Sequence, residues 1–178
     1  MPRIIFLNGP PRSGKDHAVG ILRTVLPAFA HMKLSRPLKA AASAILNSTH
    51  AQLDLYKDGI HPAFGMSYRE MQIQVFQQMA LVLGESWLGR CLVDEILQQD
   101  EDTIIVSDCG RACELIPIIR KFGASNCALI QIVAPGTIFD NDIRGYINSP
   151  GIHSVGVFND KTKNYNAQII DSVLSFLA

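Results

Sequence analysis

An apolar run, Arg3-Ile-Ile-Phe-Leu-Asn8, leads directly into Gly9-Pro-Pro-Arg12-Ser-Gly14-Lys15-Asp16 and from there into a helix-compatible stretch. The spacing is G-x-x-x-x-G-K, and a strand, a glycine loop and a helix in that order form a phosphate cradle. Glycine lets the backbone curl so that successive N–H groups face inward, the helix adds its positive N-terminal end, and Lys15 reaches the outer phosphates of a nucleotide. Gly9, Pro10, Pro11, Arg12, Ser13, Gly14, Lys15 and Asp16 are therefore the expected binding residues for the phosphates of ATP. The alternative, a glycine turn with a solvated lysine, leaves the order of strand, loop and helix as coincidence.

One position departs from the usual pattern. Where most such loops place Ser or Thr to hold magnesium, this chain has Asp16. Its carboxylate can bind the metal directly, hold one of its waters, or orient Lys15. An acidic residue in a first helical turn also complements the helix dipole. Asp16 is taken as the metal-site candidate.

The rest of the composition narrows the class. A chain of 178 residues, 48% hydrophobic and 18% charged, is expected to form one domain with one substantial core. Lys+Arg and Asp+Glu balance at 16 each, so there is no global basic field to attract a nucleic-acid polymer or an anionic membrane. No apolar run approaches the roughly 20 residues of a membrane span, and no signal-peptide pattern is present, which gives a cytoplasmic expectation. Cys91, Cys109, Cys113 and Cys127 show no C-x-x-C pair and read as reduced thiols.

Strands are expected at 3–8, 29–34, 103–107, 128–133 and 154–158, and helices at 14–26, 38–46, 67–83, 86–98, 112–122 and 165–177. Pro27 ends the first helix, and Ser67 with Glu70 forms a capping signature for the helix that follows. Residues 47–66 read as irregular, and the polar, glycine-containing stretch 135–153 as a mobile loop or lid. Strands alternating with helices predict an α/β fold with a parallel sheet covered on both faces and its strand C-termini on one ligand-binding rim.

Phosphoryl transfer between two anionic molecules needs fixed cations around the transferring oxygens. Arg12, Lys39, Arg69, Arg111 and Arg144 are the candidates. Lys39 and Arg69 fall at predicted helix starts, where an anion gains from dipole and side chain together, and are assigned to the acceptor. Asp108 ends a buried-strand run, at the position of a carboxylate that holds a magnesium water or the acceptor; its alternative is a cap for the helix after it. Glu114 either faces the same cleft or is a solvated first-turn residue. Arg144 lies in the lid stretch, where it can close over the phosphates. Lys15, Asp108 and Arg144 form the candidate catalytic set. Phe158-Asn159-Asp160 either borders the adenine or is a plain turn, and Trp87 is assigned to the core.

In combination these segments resemble the bacteriophage deoxynucleoside monophosphate kinases, within the nucleoside monophosphate kinase group. The resemblance is carried by Arg12-Ser-Gly-Lys-Asp16, Leu34-Ser-Arg-Pro-Leu-Lys39, Ser67-Tyr-Arg69-Glu70, Val106-Ser-Asp108-Cys-Gly110 with Glu114, Asp142-Ile-Arg144-Gly-Tyr146 and Val157-Phe-Asn159-Asp160, in that order. It implies a P-loop kinase fold with a five-stranded parallel sheet in the order 2-3-1-4-5, a helical acceptor-binding insertion at about 35–100, and a lid. It also implies magnesium-dependent transfer of the ATP γ-phosphoryl group to a deoxynucleoside 5′-monophosphate, small-molecule partners only, and a host cytoplasm if the chain is phage-encoded. Whether the chain forms a homodimer stays open. Ala134 and Arg111 depart from the family, which often has an arginine and an aromatic residue there. The competing readings are another small-molecule kinase, similar to phosphomevalonate kinase or dephospho-coenzyme A kinase, and a nucleotide-binding module without catalysis.

Overall fold

The fold follows from side-chain alternation along its central strand. In β1 (Arg3–Asn8), Ile4 and Phe6 point to one face of the sheet and Ile5 and Leu7 to the other, and all four are fully buried. A strand apolar on both sides is stable only when both faces are covered. The computed structural model describes residues 1–139 and 144–178. Part of the expected lid, with Asp142 of the Asp142-Ile-Arg144 segment, lies outside the described residues.

The chain runs β1, α1 (Lys15–Leu22), β2 (Ala30–Met32), α2 (Arg36–Ile45), α3 (His50–Asp54), α4 (Tyr68–Leu83), α5 (Trp87–Ile96), β3 (Thr103–Cys109), α6 (Ala112–Phe122), β4 (Cys127–Val133), β5 (His153–Phe158) and α7 (Lys163–Leu177). All strand pairings are parallel and the order is β2-β3-β1-β4-β5, as the resemblance implied. On one face Ile4, Phe6, Val106 and Leu129 pack with Leu38, Phe76, Leu92 and Leu115 of the α2, α4, α5 and α6 helices. On the other, Ile5, Leu7, Ile130 and Ile132 meet Ala18 and Leu22 of α1 and Ile169 and Val173 of α7.

The sequence reading needs correction at several edges. Residues 47–66 are not wholly irregular: Thr49 caps α3 by accepting from the Gln52 amide, while the Thr49 amide donates to Gln52 Oε1 at 2.9 Å. This is the same reciprocal cap that Ser67 and Glu70 make on α4. The first helix stops at Leu22 rather than 26, because the chain tightens there into i→i+3 turns, with Thr24 N on Ile21 O and Val25 N on Leu22 O. The second strand shrinks to 30–32, and α2 starts at Arg36 with Pro37 in its first turn.

Candidate phosphotransfer site

The phosphate loop sits at the C-terminal end of β1, where parallel α/β sheets bind ligands. Its glycines are required by space and by backbone. A side chain at Gly9 would come within 2.6 Å of the Ile132 carbonyl, and Gly14 has φ +104° with Asn159 against its Cα. Arg12 also adopts a left-handed φ of +64°. Pro10 and Ser13 are buried, whereas Pro11 and Arg12 face solvent. Lys15 is drawn across the loop: its Nζ donates to the carbonyls of Gly9 at 2.7 Å and Pro10 at 2.6 Å. Burial, and then the charge of Arg144, push the Lys15 amine down to about 8.

The far end of the chain holds this loop. Asn159, buried after β5, donates through Nδ2 to Ser13 O at 2.7 Å, and the Tyr165 hydroxyl of α7 donates to Gly14 O at 3.0 Å. The segment after β5 thus buttresses the loop, a role that neither an adenine border nor a plain turn describes.

Beside the loop, on the same rim, opens a cavity of about 360 Å³. Lys33, Lys39, Lys57, Arg69, Arg111 and Arg144 supply its cations. Leu34, Leu38, Ile73, Phe76 and Leu88 give it apolar walls, and Gln72 and Gln77 add amides. The acidic residues Asp54, Asp108 and Glu114 also line it. Of the expected acceptor residues, Lys39, Arg69, Asp108 and Glu114 therefore meet in one cavity, together with Arg144.

Several of them also have structural partners that the sequence did not reveal. Asp108 accepts from the backbone amides of Leu34 at 2.7 Å and Ser35 at 2.9 Å, fixing the entry to α2. It is not the cap of α6. Glu114, 5% exposed, takes that role by accepting from the amides of Gly110 at 3.3 Å and Arg111 at 3.2 Å, and burial pushes its carboxyl up. It is thus neither solvated nor simply pointed at the cleft. Arg69 Nε donates to Asp58 Oδ1 at 2.7 Å, and that bond, more than the neighbouring charges of Lys57 and Arg12, holds the Asp58 carboxyl below its ordinary range. Asp16 accepts from Lys33 Nζ at 3.0 Å.

Arg111 sits over Phe76, its guanidinium carbon 3.7 Å from the ring centroid, and Phe76 in turn stacks with Trp87 at 6.3 Å. Among the described residues the buried Arg111 Nε has no hydrogen-bond partner. The Arg144 stem passes close over Gly110, in space that a side chain at 110 would fill. Residues just beyond it are fastened to the rim. Asn8, fully buried, donates to Cys109 O at 2.9 Å and Gly145 O at 3.0 Å and accepts from Ile147 N at 3.1 Å. A buried polar residue ending an apolar strand is the available signal for that anchor.

The residues present suit magnesium in the way nucleotide sites use it. The ion needs only one or two carboxylates when phosphates complete its shell, and Asp16 is exposed beside Lys15. Among the described residues no three His, Cys, Asp or Glu side chains gather around a common point, so a cage made by the protein alone is absent there. All four cysteines are free thiols. No described helix is long and apolar enough to cross a membrane.

No protein-family model and no curated protein matches the sequence. Among solved structures the fold is similar to that of TT1252 from Thermus thermophilus, at 15% identity and a TM-score of 0.54, with 99% of this chain and 98% of that one covered. A tunicamycin resistance protein from Deinococcus radiodurans aligns at 15% identity and a TM-score of 0.49, over 97% and 96% of the two chains. A sugar kinase from Janibacter sp. HTCC2649 aligns at 11% identity and a TM-score of 0.48, over 99% and 95%. The first of these likenesses shows that the chain shares its whole α/β fold with a protein of nearly equal extent.

Proposed function

We propose that the chain is an ATP-dependent phosphotransferase that converts a deoxynucleoside 5′-monophosphate to the diphosphate and ADP. The observation that carries this reading is the placement of a cation-lined cavity of about 360 Å³ beside a phosphate loop on one rim. That volume lies in the range of small-molecule sites, and its apolar walls with two amides suit a sugar and base behind a phosphate. The wealth of cations in a chain of zero formal net charge points to an anionic acceptor.

The loop amides and Lys15 bind the β and γ phosphates, with Arg12 at the exposed lip. Arg69 and Lys39 hold the acceptor phosphate, and Arg144 adds charge where the two meet. One acceptor phosphate oxygen bonds to the γ phosphorus as the bond to the β–γ bridging oxygen breaks and its electron pair leaves with ADP. Magnesium supplies charge neutralisation at the phosphates when bound, with Asp16 as the protein group beside it. The neighbouring walls keep water from replacing the acceptor.

Purified protein is to be assayed with magnesium, ATP and each deoxynucleoside monophosphate, phosphomevalonate or dephospho-coenzyme A. The expected result is ADP release that depends on a deoxynucleoside monophosphate. Turnover only with a non-nucleotide acceptor, or none with any, overturns the reading.

A further inference from the structure

Two carboxylates grip three consecutive residues at the mouth of the cavity. Asp16 holds the Lys33 ammonium at 3.0 Å, while Asp108 holds the next two backbone amides, those of Leu34 and Ser35. Lys33 is thus fixed both through its tip and through the chain that follows it. Its side chain also lines the acceptor cavity, whereas Asp16 adjoins Lys15 in the phosphate loop. The ammonium therefore stands on the boundary between the two compartments. Exposed pairs of this kind add little to folding stability, and here the two side chains are 39% and 81% exposed.

We propose that Lys33 receives the acceptor phosphate at this boundary and that Asp16 is its positioning residue. The inference rests on the phosphotransferase reading and assigns a further residue to that site. It also accounts for the unusual residue at position 16. Ser or Thr, the common occupant, supplies a neutral hydroxyl on a shorter stem, which holds an ammonium reaching over from the end of β2 far less strongly than a carboxylate does. A carboxylate can hold Lys33 through one oxygen and still offer the other to a magnesium water. Two anionic phosphates repel as they approach, and a cation already fixed between them lowers that repulsion without reorganising in the reaction. In the transfer step Lys33 neutralises the non-bridging oxygens of the acceptor phosphate while one of them forms the new bond to the γ phosphorus.

The test uses the full chain as Lys33→Met, Lys33→Arg, Asp16→Ser and the Met/Ser double variant. Acceptor KM and kcat are measured with the deoxynucleoside monophosphate that the unmodified protein uses best, and magnesium-ATP binding is measured by calorimetry. Lys33→Met should raise acceptor KM about tenfold or more, the usual scale of a lost charge-assisted hydrogen bond, and Lys33→Arg should recover most of it. Asp16→Ser should raise acceptor KM by a similar factor and the double variant no further, since Asp16 acts on the acceptor only through Lys33, while loss of its magnesium-water contact reads in the magnesium-ATP affinity instead. The calorimetric ATP affinity of Lys33→Met should stay within about threefold of the parent. An unchanged acceptor KM in Lys33→Met, or fully additive effects in the double variant, overturns the inference. If the unmodified protein binds magnesium-ATP and turns over its acceptor while Lys33→Met behaves identically, only the Lys33 assignment falls. If the unmodified protein takes up no ATP, the phosphotransferase reading falls and this one with it.

Discussion

Asn159 donates its side-chain amide to the Ser13 carbonyl at 2.7 Å across 146 positions of sequence, so the last quarter of the chain sets the shape of the loop near its start. The same side chain lies against the Cα of Gly14, which leaves no room there for anything larger than glycine. Loop curvature is a tertiary property as well as a local one. Asn159→Ala should cost about 1–2 kcal/mol of stability and weaken ATP binding about tenfold, because Ser13 O loses its buried partner and the loop relaxes. Urea unfolding and ATP calorimetry on the same sample check both parts; an unaltered ATP affinity contradicts the role given to the buttress.

Lys15→Ala should remove the cation at the β and γ phosphates. The expected loss is on the order of 3–4 kcal/mol in transition-state stabilisation, a drop of several hundred-fold in kcat. Steady-state kinetics at saturating ATP tests it, and near-normal turnover would place the chemistry elsewhere.

The lowered pKa of Lys15 has two consequences of opposite sign. The folded, ligand-free chain releases this proton at about pH 8, whereas the unfolded chain holds it to its ordinary 10.5. Between those values the unfolded state binds more protons, so stability from this group rises with pH across the window and is flat below it. Binding a triphosphate needs the charged amine, so kcat/KM for ATP should fall above about pH 8, and the bound phosphates should move the corresponding limb of kcat upward. A kcat/KM profile for ATP that stays level through this window counts against the assignment.

Arg69 pairs with Asp58 at 2.7 Å and, in the proposed reaction, also holds the acceptor phosphate. Arg69→Ala should raise acceptor KM about tenfold with little change in ATP KM, while Asp58→Ala, which frees the guanidinium, should lower acceptor KM modestly. The pair is exposed enough that thermal stability should move by about 0–1 kcal/mol in either variant. Equal effects on both substrates would show that Arg69 supports the fold and not the acceptor.

Asn8→Ala should be the most destabilising of these changes. It leaves the carbonyls of Cys109 and Gly145 and the amide of Ile147 without their partner in a fully buried place. Roughly 2–4 kcal/mol is expected, read by urea denaturation.

The sheet was legible because its evidence is periodic: apolar runs ending in turn residues, separated by helical patterns, leave few topologies to choose among. The phosphate loop was legible because it is contiguous. Helix α3 was overlooked although Thr49 and Gln52 repeat the very signature used to place α4, since a five-residue helix has no apolar stripe to announce it. The cavity was harder to read. Its walls come from residues between 33 and 144, and their meeting depends on how α4, α5 and α6 pack across the sheet. Lys39, Arg69 and Arg144 could be chosen for charge at the rim, but nothing in the spacing ties Lys33 to Asp16, Glu114 to the amide of Gly110, or Arg111 to Phe76. Those pairings exist only after folding.

The stacked trio of Arg111, Phe76 and Trp87 gives the molecule a built-in optical reporter. Trp87 is the sole indole of the chain, and it stacks on Phe76, which lines the cavity and carries the Arg111 guanidinium over its ring. Any occupant that draws the guanidinium away from Phe76 alters the electric field at the indole. If the proposed acceptor fills the cavity and displaces Arg111, emission from this one fluorophore should change as it binds, with no label attached.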